Sequence, residues 1–251
     1  MTNPVKSGID LLAPKTDAHA HVGYFGSWCD VGATADEMVA LMADYGIKRT
    51  IISYPDDAVT LDAAAKYPNQ LIPLTWINPG LGASEIARLD RLTVNKAVAG
   101  IKFHPLFNSY TADDSCVDPV MAIAVKRDLP VFIHSGHPPF SLPWSIGQLA
   151  ERFPQARIVM VHMGHGHGVY IQAALAMAKK YPNIWLETSG MPMHTKIKEA
   201  YETVGPDRIF WGSDFPFHHY AVEILRSEVS GLQPAGLRAL FYENVNKFLG
   251  F

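Results

Sequence analysis

Eight short runs of apolar, β-branched and aromatic residues recur along this 251-residue chain, and between most of them lie longer stretches with apolar residues at helical spacing. The runs cover residues 16–20, 49–53, 71–76, 99–103, 130–134, 157–162, 183–187 and 208–212. The helical patterns cover 35–45, 83–92, 119–127, 145–153, 170–180 and 195–204, with a thinner one at 61–67. Strand then helix, repeated, builds a parallel sheet, because a parallel neighbour is reached only through a crossover. Several helical stretches end at Tyr67-Pro68, Phe153-Pro154 and Tyr181-Pro182, where proline stops the helix. Eight units in a chain of this length predict a single α/β domain over 1–251, folded as a closed (β/α)8 TIM barrel. An open, doubly wound sheet is the alternative.

Composition removes several classes of function. The 21 basic and 24 acidic residues give a net charge of −3 with no basic run to track phosphates, so nucleic acid is not an expected partner. No segment approaches the roughly 20 apolar residues of a membrane helix, and residues 1–15 lack the apolar run of a leader, so a soluble cytoplasmic protein with no membrane partner is expected. Cys29 and Cys116 are too few for a disulfide framework and read as reduced thiols. No glycine-rich phosphate loop stands between a strand and a helix, so no nucleotide cofactor is implied. The 11 histidines are the unusual feature, since imidazole is the commonest metal ligand.

A barrel carries its chemistry at the C-terminal ends of its strands. The first run ends Asp17-Ala18-His19-Ala20-His21, and the two-residue period of a strand sends both imidazoles to one side, where they can grip one ion. The fifth, sixth and eighth runs end at His134, His162 and Asp214. Any one of these alone reads as a capped or solvated residue; together they make a nitrogen- and oxygen-rich site suited to zinc, with room for water.

These motifs resemble the amidohydrolase superfamily, in particular the amidohydrolase-related group that includes aminocarboxymuconate semialdehyde decarboxylase. The resemblance runs through 17–21, Gly100-Ile101-Lys102-Phe103-His104-Pro105, Ile133-His134-Ser135-Gly136, Val161-His162-Met163-Gly164, Gly212-Ser213-Asp214-Phe215-Pro216 and the ending at 243–250. It implies a barrel of the metallo-dependent hydrolase type. It makes His19, His21, His134 and Asp214 the metal ligands and His162 a catalytic or water-orienting residue. The implied cofactor is one divalent ion, zinc before manganese. Asp214 would both touch the metal and take a proton from its water, and His162 would donate to a leaving group or hold an oxyanion.

Lys102 and His104, two apart on the fourth run, should share a face. In some members of the superfamily a carboxylated lysine here bridges two metals. One metal is the favoured expectation, with Lys102 and His104 as substrate contacts, and the bland reading of Lys102 is a lysine that reaches solvent. His137 and His165, in loops after the fifth and sixth runs, are candidate substrate-binding residues, and His167 sits between pocket and simple exposure. His194, His218 and His219 carry less weight. Glu187 ends the seventh run either as an acceptor that orients a metal-liganding histidine or facing a helix. Tyr24, Phe25, Trp28, Phe140 and Trp144 are candidates for an apolar wall. The expected function is metal-dependent hydrolysis of a small-molecule amide, ester or lactone; the alternative is non-oxidative decarboxylation of an aromatic or unsaturated acid. A silent scaffold is disfavoured by the complete ligand set. Pairing as a homodimer through surface helices is compatible with barrels of this kind.

Overall fold

The computed structural model describes residues 10–251, the side chains of Ser27 and Trp28 excepted. Eight parallel strands follow one another in chain order: β1 Lys15–His21, β2 Ile47–Ser53, β3 Leu71–Trp76, β4 Gly100–Phe103, β5 Val131–His134, β6 Ile158–Val161, β7 Ile184–Glu187 and β8 Ile209–Phe210. Between them run α1 Ala35–Asp44, α2 Asp57–Lys66, α3 Ala83–Val94, α4 Asp118–Lys126, α5 Pro143–Arg152, α6 Gly168–Lys180 and α7 Thr195–Val204, and α8 Tyr220–Glu228 follows β8. The eight units are those the periodicity predicts, and the open sheet is excluded by how the last strand returns to the first. Ala18 N donates to Trp211 O at 3.0 Å, Asp214 N to His19 O at 2.8 Å and His21 N to Phe215 O at 2.6 Å.

Local chemistry sets the boundaries. Thr34 and Glu37 cap α1 reciprocally: the Glu37 amide donates to Thr34 Oγ1, and the Thr34 amide donates to Glu37 Oε2. The thin pattern at 61–67 is a full helix, α2, because Asp56 caps it and accepts from Ala58 N. The helix after β8, which apolar spacing did not single out, is capped by His219 accepting from Ala221 N. Two strands are shorter than expected by more than one residue. β6 stops at Val161 because His162 and Met163 turn to φ 66° and 35°, and β8 spans only Ile209–Phe210, with Asp214 at φ 55° beyond its end.

Alternation along the strands divides the core in two. Ile51, Leu74, Phe132, Val159, Val161 and Phe210 pack with one another inside the barrel, and Val245 of the terminal helix Asn244–Leu249 closes that cluster. Ile101, Phe103, Val131, Ile133, Ile158, Met160, Ile184 and Leu186 belong to the larger cluster that includes the helices. Each such side chain contributes about 1.5–3 kcal/mol on leaving water. Lys102, His134 and Glu187 fall on the inward parity, two residues beyond Gly100, Phe132 and Trp185. The sequence alternation that fills the barrel therefore also points its polar residues into the mouth. Among the described residues no helix is long and apolar enough to cross a membrane.

Candidate metal centre

His19 and His21 project from the end of β1, and Asp214 reaches them across the seam from β8. Both imidazole Nε2 atoms stand 3.3 Å from Asp214 Oδ1. The backbone makes this meeting compulsory, because His19 O accepts from Ser213 N at 3.3 Å as well as from Asp214 N. Beneath it, the buried Asp17 carboxylate accepts from Ser213 N at 2.9 Å and Ser213 Oγ at 2.5 Å. Burial lifts the Asp17 pKa to about 7, with the Ser213 bonds opposing.

The donor set fits a divalent metal ion. His21 Nδ1 faces the Ser53 carbonyl at 3.0 Å, which can only accept, so Nδ1 carries a proton and Nε2 is the atom turned to Asp214. A cation held between that nitrogen and Asp214 Oδ1 would meet a donor atom from each side. Burial works to raise the Asp214 pKa, but the surrounding imidazoles, His162 first and then His19 and His21, outweigh it and hold the carboxylate ionised. Burial also holds His19 neutral, and its Nδ1 is buried without a hydrogen-bond partner. Two imidazoles and one carboxylate within 4.8 Å of one another are a zinc- or manganese-type set.

His162 lies beside this group, its ring centroid 5.3 Å from that of His19. Its Nδ1 donates to Ser189 Oγ at 2.8 Å, and that hydroxyl donates to Glu187 Oε2 at 2.8 Å. Glu187 also accepts from His162 N at 3.1 Å and Ser189 N at 2.5 Å, which holds His162 in its left-handed backbone. Burial raises Glu187 to about 8 and holds His162 neutral. Glu187 is thus wholly buried behind His162, not behind one of the expected metal ligands, and does not face a helix.

His134 is drawn the other way. Trp76, His104, His134 and His137 form a column of near-parallel rings, with centroid separations of 5.2, 3.9 and 5.1 Å and interplanar angles of 13°, 13° and 7°. His134 Nε2 lies 2.9 Å from His137 Nδ1, and His134, His137 and His165 make a second group of mutually close nitrogens. His134 is therefore grouped with the loop histidines, beside rather than within the cluster of His19, His21 and Asp214. Burial lowers all three, His165 to about 4. His104 accepts from Phe107 N through Nδ1.

Lys102 is fully buried and does not snorkel to solvent; its Nζ lies 3.3 Å from His19 Nε2, and burial lowers its pKa to about 7. His167 is exposed and caps α6 by accepting from Val169 N, and His218 Nδ1 meets Glu223 at 2.8 Å. Of the expected aromatic wall, Phe25 lies edge-on to His21 with centroids 5.4 Å apart, Tyr24 and Trp144 are exposed, and Trp28 lies outside the described side chains. Trp76 and Phe217, which the sequence reading did not select, contact His21 instead. Ser53 and Ser189 were also missed. Ser53 is the polar end of β2 and was open to the same strand-end rule; Ser189 lies past β7, where only the fold shows its reach.

The family model described as Amidohydrolase matches residues 16–251. The chain is 26% identical to 4-sulfomuconolactone hydrolase of Hydrogenophaga intermedia, a match that covers 74% of this chain and 66% of that one, just under two thirds of its length. Three solved structures share the fold. 5-Carboxyvanillate decarboxylase of Novosphingobium aromaticivorans, complexed with manganese and 4-hydroxy-3-methoxy-5-nitrobenzoic acid, aligns with a TM-score of 0.75 at 15% identity over 100% of both chains. 2,6-Dihydroxybenzoate decarboxylase complexed with 2,6-dihydroxybenzoate gives 0.74 at 16% over 95% and 99%. An uncharacterized TIM-barrel protein of Bordetella bronchiseptica gives 0.78 at 15%, also over 95% and 99%.

Proposed function

Since the chain belongs to the amidohydrolase family, we propose that it is a metal-dependent hydrolase that opens a small-molecule lactone, ester or amide. The observation that carries this reading is the meeting of two imidazole nitrogens and one ionised carboxylate oxygen within 3.3 Å contacts at the barrel mouth, beside a histidine fixed in one tautomer. His19, His21, His134 and Asp214 would hold one divalent ion, zinc before manganese. When bound, the ion polarises a carbonyl and makes a water at neutral pH a strong nucleophile.

The protein's own groups supply the proton movements. Asp214 accepts a proton from the attacking water at the oxygen not facing the histidines. His162 has its Nδ1–H committed to Ser189, so its neutral ring offers Nε2 as an acceptor; it takes there the water-derived proton that Asp214 gives up and returns it to the departing oxygen or nitrogen, leaving Asp214 ionised again. Lys102 and His104, with His137 and His165 on the loops, bind the substrate's polar end.

The curated hydrolase relative supports hydrolysis. A decarboxylase reading has one observation in its favour, the likeness in fold to two aromatic-acid decarboxylases. Zinc- and manganese-loaded protein incubated with unsaturated lactones, aryl esters, amides and hydroxybenzoates separates the two. Proton release with loss of the lactone or ester is expected; carbon dioxide release from the acids, with the lactones untouched, would overturn hydrolysis. His19→Ala should lose its metal and its turnover together.

A further inference from the structure

We propose that His134, His137 and His165 form a second metal site, selective for a borderline transition-metal dication such as zinc or cobalt. Their ligating nitrogens lie within 4.8 Å of one another, and His134 Nε2 faces His137 Nδ1 at 2.9 Å. His165 Nε2 is buried with no hydrogen-bond partner, so this side chain has a lone pair or a proton that nothing in the fold satisfies.

The two loops are built to bring these rings together. Gly136, at φ 101°, packs so closely on the 164–166 backbone that a Cβ there would lie 2.7 Å from His165 N, and a Cβ on Gly166 would overlap Gly136 O. Gly190 makes room for the His165 ring in the same way, since its Cβ would stand 2.7 Å from His165 Nδ1. Three glycines thus give up side chains where the histidine-bearing loops touch. Ser135 Oγ ties the loops further, donating to Val161 O at 2.6 Å and accepting from Gly164 N at 2.9 Å.

Three imidazoles with no carboxylate favour zinc, cobalt or nickel over manganese, magnesium or calcium. A three-residue protein set with open positions is also what a reactive ion needs. His134 is common to this group and to the four-residue set of the proposed function, and one imidazole nitrogen serves one ion. Filling the three-histidine site leaves His19, His21 and Asp214 as a three-residue set for the first ion. The second equivalent is therefore the weaker one. The inference rests on the first ion being held as proposed, and the variants below test the two sites separately.

The test is a titration of chelator-stripped full-length protein with cobalt(II), followed by visible absorption and by equilibrium dialysis, with manganese(II) alongside. Two cobalt equivalents and one manganese equivalent are expected. His137→Asn and His165→Asn should each drop cobalt to one equivalent while keeping the tighter one, which also shows that they fold. Lys102→Met should keep two, and His19→Asn should lose the tighter one only. One cobalt equivalent in the unaltered protein, two in both loop variants, or loss of the second equivalent in Lys102→Met, as a bridging carboxylated lysine requires, would overturn the site.

Discussion

Ser189 Oγ stands 2.8 Å from His162 Nδ1 and passes that bond on to Glu187, so the tautomer of the histidine is set by a buried carboxyl that its ring reaches only through the serine hydroxyl. Ser189→Ala should leave metal content unchanged and lower turnover by about 10–100-fold, the range for a residue that orients a functional side chain. The loss should fall on kcat and not on KM. Equal turnover in the variant, measured at saturating substrate, would mean that ring packing alone holds His162.

His162 itself stands outside the grouping of His19, His21 and Asp214. His162→Ala should therefore keep its metal, measured by elemental analysis after gel filtration, while turnover falls by about 10²–10⁴-fold, as for a positioned acid or base. A metal-free variant would make His162 a ligand.

Gly212 lies on the inward parity of β8, and a Cβ built there would stand 2.8 Å from Glu187 Cδ and overlap its Oε1. Gly212→Ala must push the carboxyl off the His162 and Ser189 amides. Leaving one of those buried donors unpaired costs about 1–3 kcal/mol. Chemical denaturation should show that loss. The same alanine in a Glu187→Ala background should cost much less, because the clash is then absent.

Glu223 raises the pKa of His218 above its ordinary 6.5 through a 2.8 Å contact. A raised histidine binds its proton more tightly folded than unfolded, so its contribution is complete below pH 6.5 and fades as pH rises through the folded value. The melting-temperature gap between the native protein and His218→Asn should accordingly be wider at pH 6 than at pH 8.5. A gap that grows with pH would contradict the assignment. His218 is about a third exposed, so the effect is modest.

The barrel was legible because two periodicities survive in the sequence, and the residues ending β1, β5 and β8 could be found by position alone. Which of those residues share a neighbourhood was not. The resemblance places His134 with His19, His21 and Asp214, but its nearest partners, the rings of His104 and His137 stacked on either side, are set by the spacing of strand ends around a ring, which the sequence does not carry. The part played by Glu187 stayed open because period-2 alternation needs a known starting parity. Trp76 escaped notice for a plainer reason: a tryptophan ending an apolar run is indistinguishable from core until His104 is seen stacked on it.

The seam also dictates when the centre can come into being. Asp17 and Ser213, whose bonds underpin it, are 196 residues apart in the chain. Closing a loop costs entropy that grows only slowly with length, about 0.6 kcal/mol per doubling, so the distance itself is tolerable. The order of events is not negotiable, however. A nascent chain that has emerged only as far as β7 owns the imidazoles of β1 and β5 but lacks Asp214. The meeting of His19 and His21 with Asp214 is thus a late event in the life of each molecule, open only to a polypeptide whose last strand has come home to its first.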